Sequence, residues 1–219
     1  ARRVFDEIPR PNTFSYNALL SAHARLGNPA DVRALFDAIP DPDQCSYNAV
    51  IAALAQHSRG ADALLFFAAM HADDFVLNAY SFASALSACA VEKDTRAGVQ
   101  VHALVSKSPH ANDVYIGSAL LDMYAKCGDV EGAGNVFQAV LQKDSVSWNT
   151  MLFGFAINGW AKEAFAVYER MLSHDVCPNE VTFTGLLTAC SHSGLLEQGR
   201  TFFESMVSVH GLKPTPEHL

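Results

Sequence analysis

Charge is scarce in this chain, and what there is leans acidic: Asp, Glu, Lys and Arg make up 17% of the 219 residues and the net charge is −8. The basic excess that gives a nucleic-acid binder its electrostatic footprint is missing. Recognition of a polyanion would have to rest on hydrogen bonds and stacking more than on counterion release. No apolar run is long enough to cross a bilayer, so no membrane association is expected. Cys45, Cys89, Cys127, Cys177 and Cys190 form no Cys-x-x-Cys pair, and Cys89 and Cys190 share the eleventh position of their segments. Buried thiols in a reducing compartment are therefore expected. A Gly-rich phosphate loop, a Gly-x-Ser-x-Gly elbow and a His-Glu-x-x-His helix are all lacking, and the nine histidines are scattered. No catalytic residue, metal or cofactor is expected, and a binding role remains.

What the chain has is repetition on an apolar background, half of the residues being hydrophobic. TFSYNALLSAHARLG from Thr13, QCSYNAVIAALAQHS from Gln44, VYIGSALLDMYAKCG from Val114 and SVSWNTMLFGFAING from Ser145 repeat one another. AYSFASALSACA from Ala79 and EVTFTGLLTACS from Glu180 form a related pair. The chain cuts into segments 13–43, 44–78, 79–113, 114–144, 145–179 and 180–215, with partial units at 1–12 and 216–219. Segment lengths of 31 to 36 residues lie in the range where one supersecondary unit stacks on the next. The opening ARRVFDEIP reads as a second helix already under way, without initiator Met, signal or transit segment, and the expectation is a fragment whose address label is missing.

Apolar residues recur three and four apart within each segment, the helical period. In the segment from Val114, the spacing predicts a first helix with Leu120, Leu121 and Tyr124 as its stripe. Gly128 is placed just past its end, Asp129 caps a second helix, and Val136, Phe137 and Val140 face the core. In the segment from Thr13, Gly27 ends the first helix, Asn28 caps the second and Pro29 opens it. Each segment is then a helical hairpin that cannot bury both faces alone. Stacking gives an all-α superhelix with a groove lined by first helices.

Alternation of the period between 31 and about 35, with polar Asp or Asn closing several segments, separates the array from a tetratricopeptide scaffold. The strings SYNALLSAHARLG, IGSALLDMYAKCG, VSWNTMLFGFAINGWAKEAFAVYERML and VTFTGLLTACSHSGLLEQG resemble the pentatricopeptide repeat family, in its plant subclass of P, L and S motifs. The resemblance implies a right-handed superhelical α-solenoid. It makes 13–43 and 114–144 S-type, 44–78 and 145–179 P-type, 79–113 and 180–215 L-type, and 1–12 a partial S-type repeat.

The resemblance further implies single-stranded RNA as partner, one base per repeat, selected by the fifth and last residues. Asn17 with Asp43 then matches a uracil-preferring pair, Asn48 with Asn78 and Asn149 with Asn179 pyrimidine-preferring pairs with cytosine first, and Ser118 with Asp144 a guanine-preferring pair. Ala83 with Asp113 and Thr184 with Thr215 match no base, so the implied site is 5′-U-Y-N-G-Y-N-3′. Asn12 would close a preceding repeat. Residues at the second position, Phe14, Cys45, Tyr80, Tyr115, Val146 and Val181, are expected to flank the base plane, with core packing as the alternative for the aromatic ones. Asn17, Asn48 and Asn149 could instead serve helix starts, as Asn often does. Arg25 and Lys126, both at position thirteen, are candidates for phosphate or for solvated surface charge.

The last segments, ending in GLKPT and PEHL, resemble the triplet that precedes the extension and deaminase-like domains of organellar C-to-U editing factors. The zinc-holding His-x-Glu and Cys-x-x-Cys of such a deaminase are absent from these residues. This part would choose the cytidine, in a chloroplast or mitochondrion, with accessory editing factors docking on 79–113 and 180–215 and no DNA partner. The competing reading is a helical-repeat scaffold that binds protein or peptide and never touches RNA.

Overall fold

The computed structural model describes residues 2–26, 29–139 and 144–218, with the backbone alone described at residues 2, 24–26, 29 and 30. Every regular element among them is helical. Contacts divide the chain into two compact units, Ala1–Ile116 and Gly117–Leu219. The first holds α1 (Arg2–Asp6), α2 (Thr13–Leu26), α3 (Pro29–Asp37), α4 (Gln44–Gln56), α5 (Gly60–Ala72), α6 (Ala79–Glu92) and α7 (Thr95–Ser106). Then follow α8 (Val114–Lys126), α9 (Val130–Ala139), α10 (Ser145–Ile157), α11 (Ala161–Ser173), α12 (Glu180–Ser193), α13 (Leu196–Ser208) and a closing 3₁₀ turn, Pro216–His218.

Side-chain caps set the helix starts. Asp43, Asn78, Asp144 and Asn179 are extended, and each side chain accepts the backbone N–H three residues on, from Ser46, Ser81, Ser147 and Thr182. At Asp43, Asn78 and Asn179 the hydroxyl three residues on takes the cap's own N–H in return, a reciprocal capping box built with Ser or Thr. Breaks between helices use the left-handed region, as at Gly128, φ +79°. Asp129 then caps α9 by accepting from the Gly132 N–H at 2.8 Å. Gly27, Asn28 and Val140 lie outside the described residues.

Within each unit, consecutive first helices touch: α2 meets α4, α4 meets α6, and α10 meets α12. Hairpins close as α2 on α3, α4 on α5, α6 on α7, α10 on α11 and α12 on α13, and second helices also pack on the next first helix, as α3 on α4, α5 on α6, α9 on α10 and α11 on α12. An aromatic seam runs through these last contacts. The fourth residue of a segment meets a ring of the preceding second helix: Tyr47 on Phe36 at 5.0 Å, Phe82 on Phe67 at 6.2 Å, Trp148 on Phe137 at 4.8 Å, Phe183 on Tyr168 at 6.1 Å. All eight rings are buried, which is how each hairpin covers the face its neighbour leaves open. Leu120, Leu121, Tyr124, Val136 and Phe137 are buried as their spacing predicts.

First helices come unusually close at two glycines. A Cβ on Gly154 of α10 would stand 2.6 Å from Ala125 Cβ of α8, and one on Gly185 of α12 would collide with the Leu152 side chain. One expectation needs correcting. Cys89 and Cys190 are buried and Cys127 is partly so, but Cys45 and Cys177 are exposed. Cys45 falls at the outward second position of its helix and Cys177 in the connection after α11, neither of which the core covers.

Candidate nucleic-acid interface

Cap geometry brings the fifth and last residues of a segment together. Because the last residue caps the next first helix, it lies beside the fifth residue of the first helix before it. Asn17 Nδ2 donates to Asp43 Oδ1 at 3.0 Å, and Asn149 Nδ2 donates to Asn179 Oδ1 at 3.1 Å. Asn48 and Asn78 are joined through the Ser81 hydroxyl, 2.8 Å from Asn48 Oδ1 and 3.0 Å from Asn78 Oδ1. The asparagines at position five therefore do not cap helices. Their partners are side chains, and the capping is done by the last residues.

The cap also decides what each pair can still offer. A backbone N–H can only donate, so the atom of Asn179 that accepts from Thr182 N at 3.1 Å is its oxygen. The amide nitrogen Nδ2 of Asn179 is thereby turned away and remains a donor. The same bond at Asn78, 2.9 Å from Ser81 N, leaves Nδ2 as its donor. At Asp43, Oδ1 receives Ser46 N at 2.8 Å together with Asn17 Nδ2, and the second oxygen remains an acceptor. One backbone bond thus makes a closing Asn a donor and a closing Asp an acceptor.

Burial pushes the Asp43 carboxyl up, but hydrogen bonds from the Ser46 amide, the Asn17 side chain, the Ser46 hydroxyl and the Cys45 amide outweigh it and hold the group below the usual carboxylate range. At Asp144 the Ser147 amide is the largest influence; with the Ser147 hydroxyl it overcomes burial, and that carboxyl is also lowered. Both are anionic acceptors at neutral pH. Ser147 stands 2.8 Å from Asp144 Oδ1 through both its nitrogen and its hydroxyl. Ser118 sits partly buried in the second turn of α8.

Second-position side chains project outward. Phe14 is 81% exposed, and Tyr80, Tyr115, Val146 and Val181 are exposed by half or more. The core alternative is thus removed for Phe14, Tyr80 and Tyr115, whose exposed rings, one residue before Ser15, Ser81 and Ile116, are free to stack. Asn48 and Asn149 are recessed behind them, 8% and 6% exposed. Lys126 donates to Asp122 Oδ2 at 2.8 Å, one turn back on α8, as a solvated ion pair. The Arg25 side chain lies outside the described residues.

Two segments are built differently. After Ala83 the closing Asp113 accepts from Tyr115 N at 2.8 Å, and position three is the buried Ile116, so no polar pair forms. After Thr184 the hydroxyl's place is taken by His218, buried in the 3₁₀ turn. Its Nδ1 accepts from Thr215 N at 2.9 Å, which puts the proton of the neutral ring on Nε2, 3.0 Å from both Thr184 Oγ1 and Glu180 O. The role of position three escaped sequence reasoning. Its signal was present as Asn12-x-x-Ser15, Asp43-x-x-Ser46, Asn78-x-x-Ser81, Asp144-x-x-Ser147 and Asn179-x-x-Thr182. Among the described residues, no group of three or more His, Cys, Asp or Glu is placed to hold a metal ion.

Stacked helical hairpins joined by a recurring polar pair define a modular α-solenoid repeat protein. Comparisons name the family. A model described as PPR repeat matches residues 14–41, 45–75, 118–144 and 181–209, and one described as PPR repeat family matches 143–192. Similar proteins of Arabidopsis thaliana are named pentatricopeptide repeat-containing proteins. One is 43% identical over 100% of this chain and 41% of its own length, and another 49% identical over 63% of this chain and 20% of its own. A third, named as mitochondrial, is 38% identical over 98% of this chain and 34% of its own length. The pentatricopeptide repeat protein PPR10 from maize matches with a TM-score of 0.68 at 22% identity, over 95% of this chain and 31% of that one. Its complex with an 18-nt psaJ RNA element matches with a TM-score of 0.75 at 19% identity, over 95% and 32%. The chain belongs to the pentatricopeptide repeat family and has its all-α solenoid fold. It spans only 20% to 41% of the length of these curated relatives.

Proposed function

We propose that this chain binds single-stranded RNA, one base per hairpin, and reads 5′-U-Y-N-G-Y-N-3′ for a plant organellar C-to-U editing factor. The observation that carries this reading is the recurrence of one polar pair, fifth residue with last, at three joints, with the donor or acceptor character of the last residue set by its cap bond. Its likeness in fold to a protein solved with an RNA element supports it.

Hydrogen-bond chemistry matches the assigned bases. With Asn17 and Asp43, the second Asn17 N–H donates to a uracil carbonyl while Asp43 Oδ2 accepts the uracil N3–H. With Asn149 and Asn179, two amide N–H groups face two acceptors, cytosine N3 and O2. Segment 44–78 offers the same donors through Asn48 and Asn78, and Ser118 with Asp144 reads guanine. Phe14, Cys45, Tyr115 and Val146 flank the bases. Segments 79–113 and 180–215, which lack an open polar pair, are the docking places for accessory editing factors.

The test is fluorescence anisotropy with 5′-UCAGCA-3′ in a neutral single-stranded RNA against the same strand with adenine at the fourth position. Tighter binding to the guanine strand is expected. Equal weak binding to both would move recognition to segments beyond this chain, and binding to neither would favour the protein-binding scaffold.

A further inference from the structure

We propose that base choice in this chain uses a third residue per joint, the hydroxyl at position three of the following segment: Ser46 for Asn17, Ser81 for Asn48 and Thr182 for Asn149. This inference rests on the RNA-reading function above and adds a positioning residue to it. All three hydroxyl residues are fully buried, so none touches a base. They lie 2.7, 2.8 and 2.7 Å from the Oδ1 of their asparagine.

A hydroxyl has one proton. Each of these oxygens already accepts the backbone N–H of the cap, Asp43 at 3.2 Å, Asn78 at 3.3 Å and Asn179 at 3.0 Å. The proton must therefore go to the cap Oδ1 or to the asparagine Oδ1. The cap oxygen is the more distant, at 2.9, 3.0 and 3.2 Å, and it already receives an N–H from the same Ser or Thr. At Ser81 and Thr182, whose caps are neutral amides, the proton goes to the asparagine; at Ser46 it is shared between Asn17 and the anionic Asp43. The amide is held with its oxygen inward and its nitrogen towards the last residue and the base.

Without that proton the amide loses the bond at its oxygen end, Asn17 and Asn149 are held only by Nδ2 on the last residue at 3.0 and 3.1 Å, and the flipped orientation becomes more accessible. A flipped amide presents an acceptor where the base needs a donor, so the pair keeps its contact area and loses its choice of base. The pattern along the chain agrees. Each asparagine at position five is followed by a hydroxyl at the next position three, whereas Ala83, with no amide to orient, is followed by Ile116; Ser147, which follows Ser118, serves the Asp144 cap instead.

The experiment compares wild type, Thr182→Val and Thr182→Ser by anisotropy against 5′-UCAGCA-3′ and 5′-UCAGAA-3′ in a neutral strand. Thermal melting serves as a check of fold. Valine keeps the volume of threonine and removes the hydroxyl; serine restores it. Thr182→Val is expected to lower the preference for cytosine over adenine at the fifth base by about tenfold, and Thr182→Ser to retain it. An unchanged ratio in Thr182→Val, or affinity lost equally for both strands, overturns the positioning role while leaving the RNA reading intact. A wild type that does not distinguish the strands overturns both. Ser81→Ala, read against cytosine or adenine at the second base, repeats the test at a second joint should Thr182→Val fail to fold.

Discussion

Asn179→Asp changes one atom at the joint between segments 145–179 and 180–215. The cap oxygen keeps Thr182 N at 3.1 Å and Asn149 Nδ2 at 3.1 Å, and Asp caps a helix about as well as Asn, so the fold should be undisturbed. Only the outward atom differs: an amide N–H becomes a carboxylate oxygen. Cytosine then sets its N3 lone pair against an anion, while uracil gains an acceptor for its N3–H. A well-placed pair of base contacts discriminates by about 1 to 3 kcal/mol. The ratio of affinities for 5′-UCAGCA-3′ and 5′-UCAGUA-3′ should therefore move by about tenfold or more and change sign, from cytosine to uracil. Anisotropy titrations of both proteins with both strands at one fixed salt measure it. A variant that melts as wild type does and still prefers cytosine would refute the claim that the cap bond sets donor or acceptor character.

Other consequences follow from named groups. The Asp43 and Asp144 carboxyls are lowered in the folded chain, so their contribution to stability is complete above the unfolded value of about 3.9 and is lost as pH falls through the folded values. Melting temperature should not respond to them between pH 5 and 7, and Asp43→Asn, which keeps its cap, should flatten part of the fall below about pH 4. Gly154→Ala gains about 1 kcal/mol of helix propensity but forces its Cβ to within 2.6 Å of Ala125 Cβ, an overpacking cost of about 1 to 3 kcal/mol, so net destabilisation is expected in a thermal melt. Gly134→Ala, whose Cβ would meet only Met151 Cε at 3.9 Å, should stabilise instead, and equal effects would contradict the close approach of α8 and α10. With a net charge of −8, log affinity for RNA against log salt should be shallow, about −0.7 per neutralised phosphate for only a few phosphates; a steep slope would point to a basic groove.

The helical hairpins were legible because their signals are local. Apolar spacing, Gly128 and Asp129 mark helix ends within a few residues, and the register of Asn17, Asn48 and Asn149 repeats visibly. The buried fate of Cys45 and Cys177 was misjudged because residue type alone does not say which face of an element meets a neighbour. Lys126 read equally as a phosphate candidate or as solvated surface charge, and its ion pair with Asp122, one turn back, is a contact the residue type alone did not announce.

By itself, then, the sequence determined the unit: its length, its two helices, its caps and the polar residues that recur in them, all set by contacts a few residues apart. Tertiary structure decided what those polar residues are to one another. Asn17 with Ser46, Asn48 with Ser81 and Asn149 with Thr182 are 29 to 33 residues apart and meet only once one hairpin has stacked on the next. On the reading proposed above, the direction of an amide, and hence what it would offer a base, depends on side chains of the neighbouring repeat that a single segment does not contain.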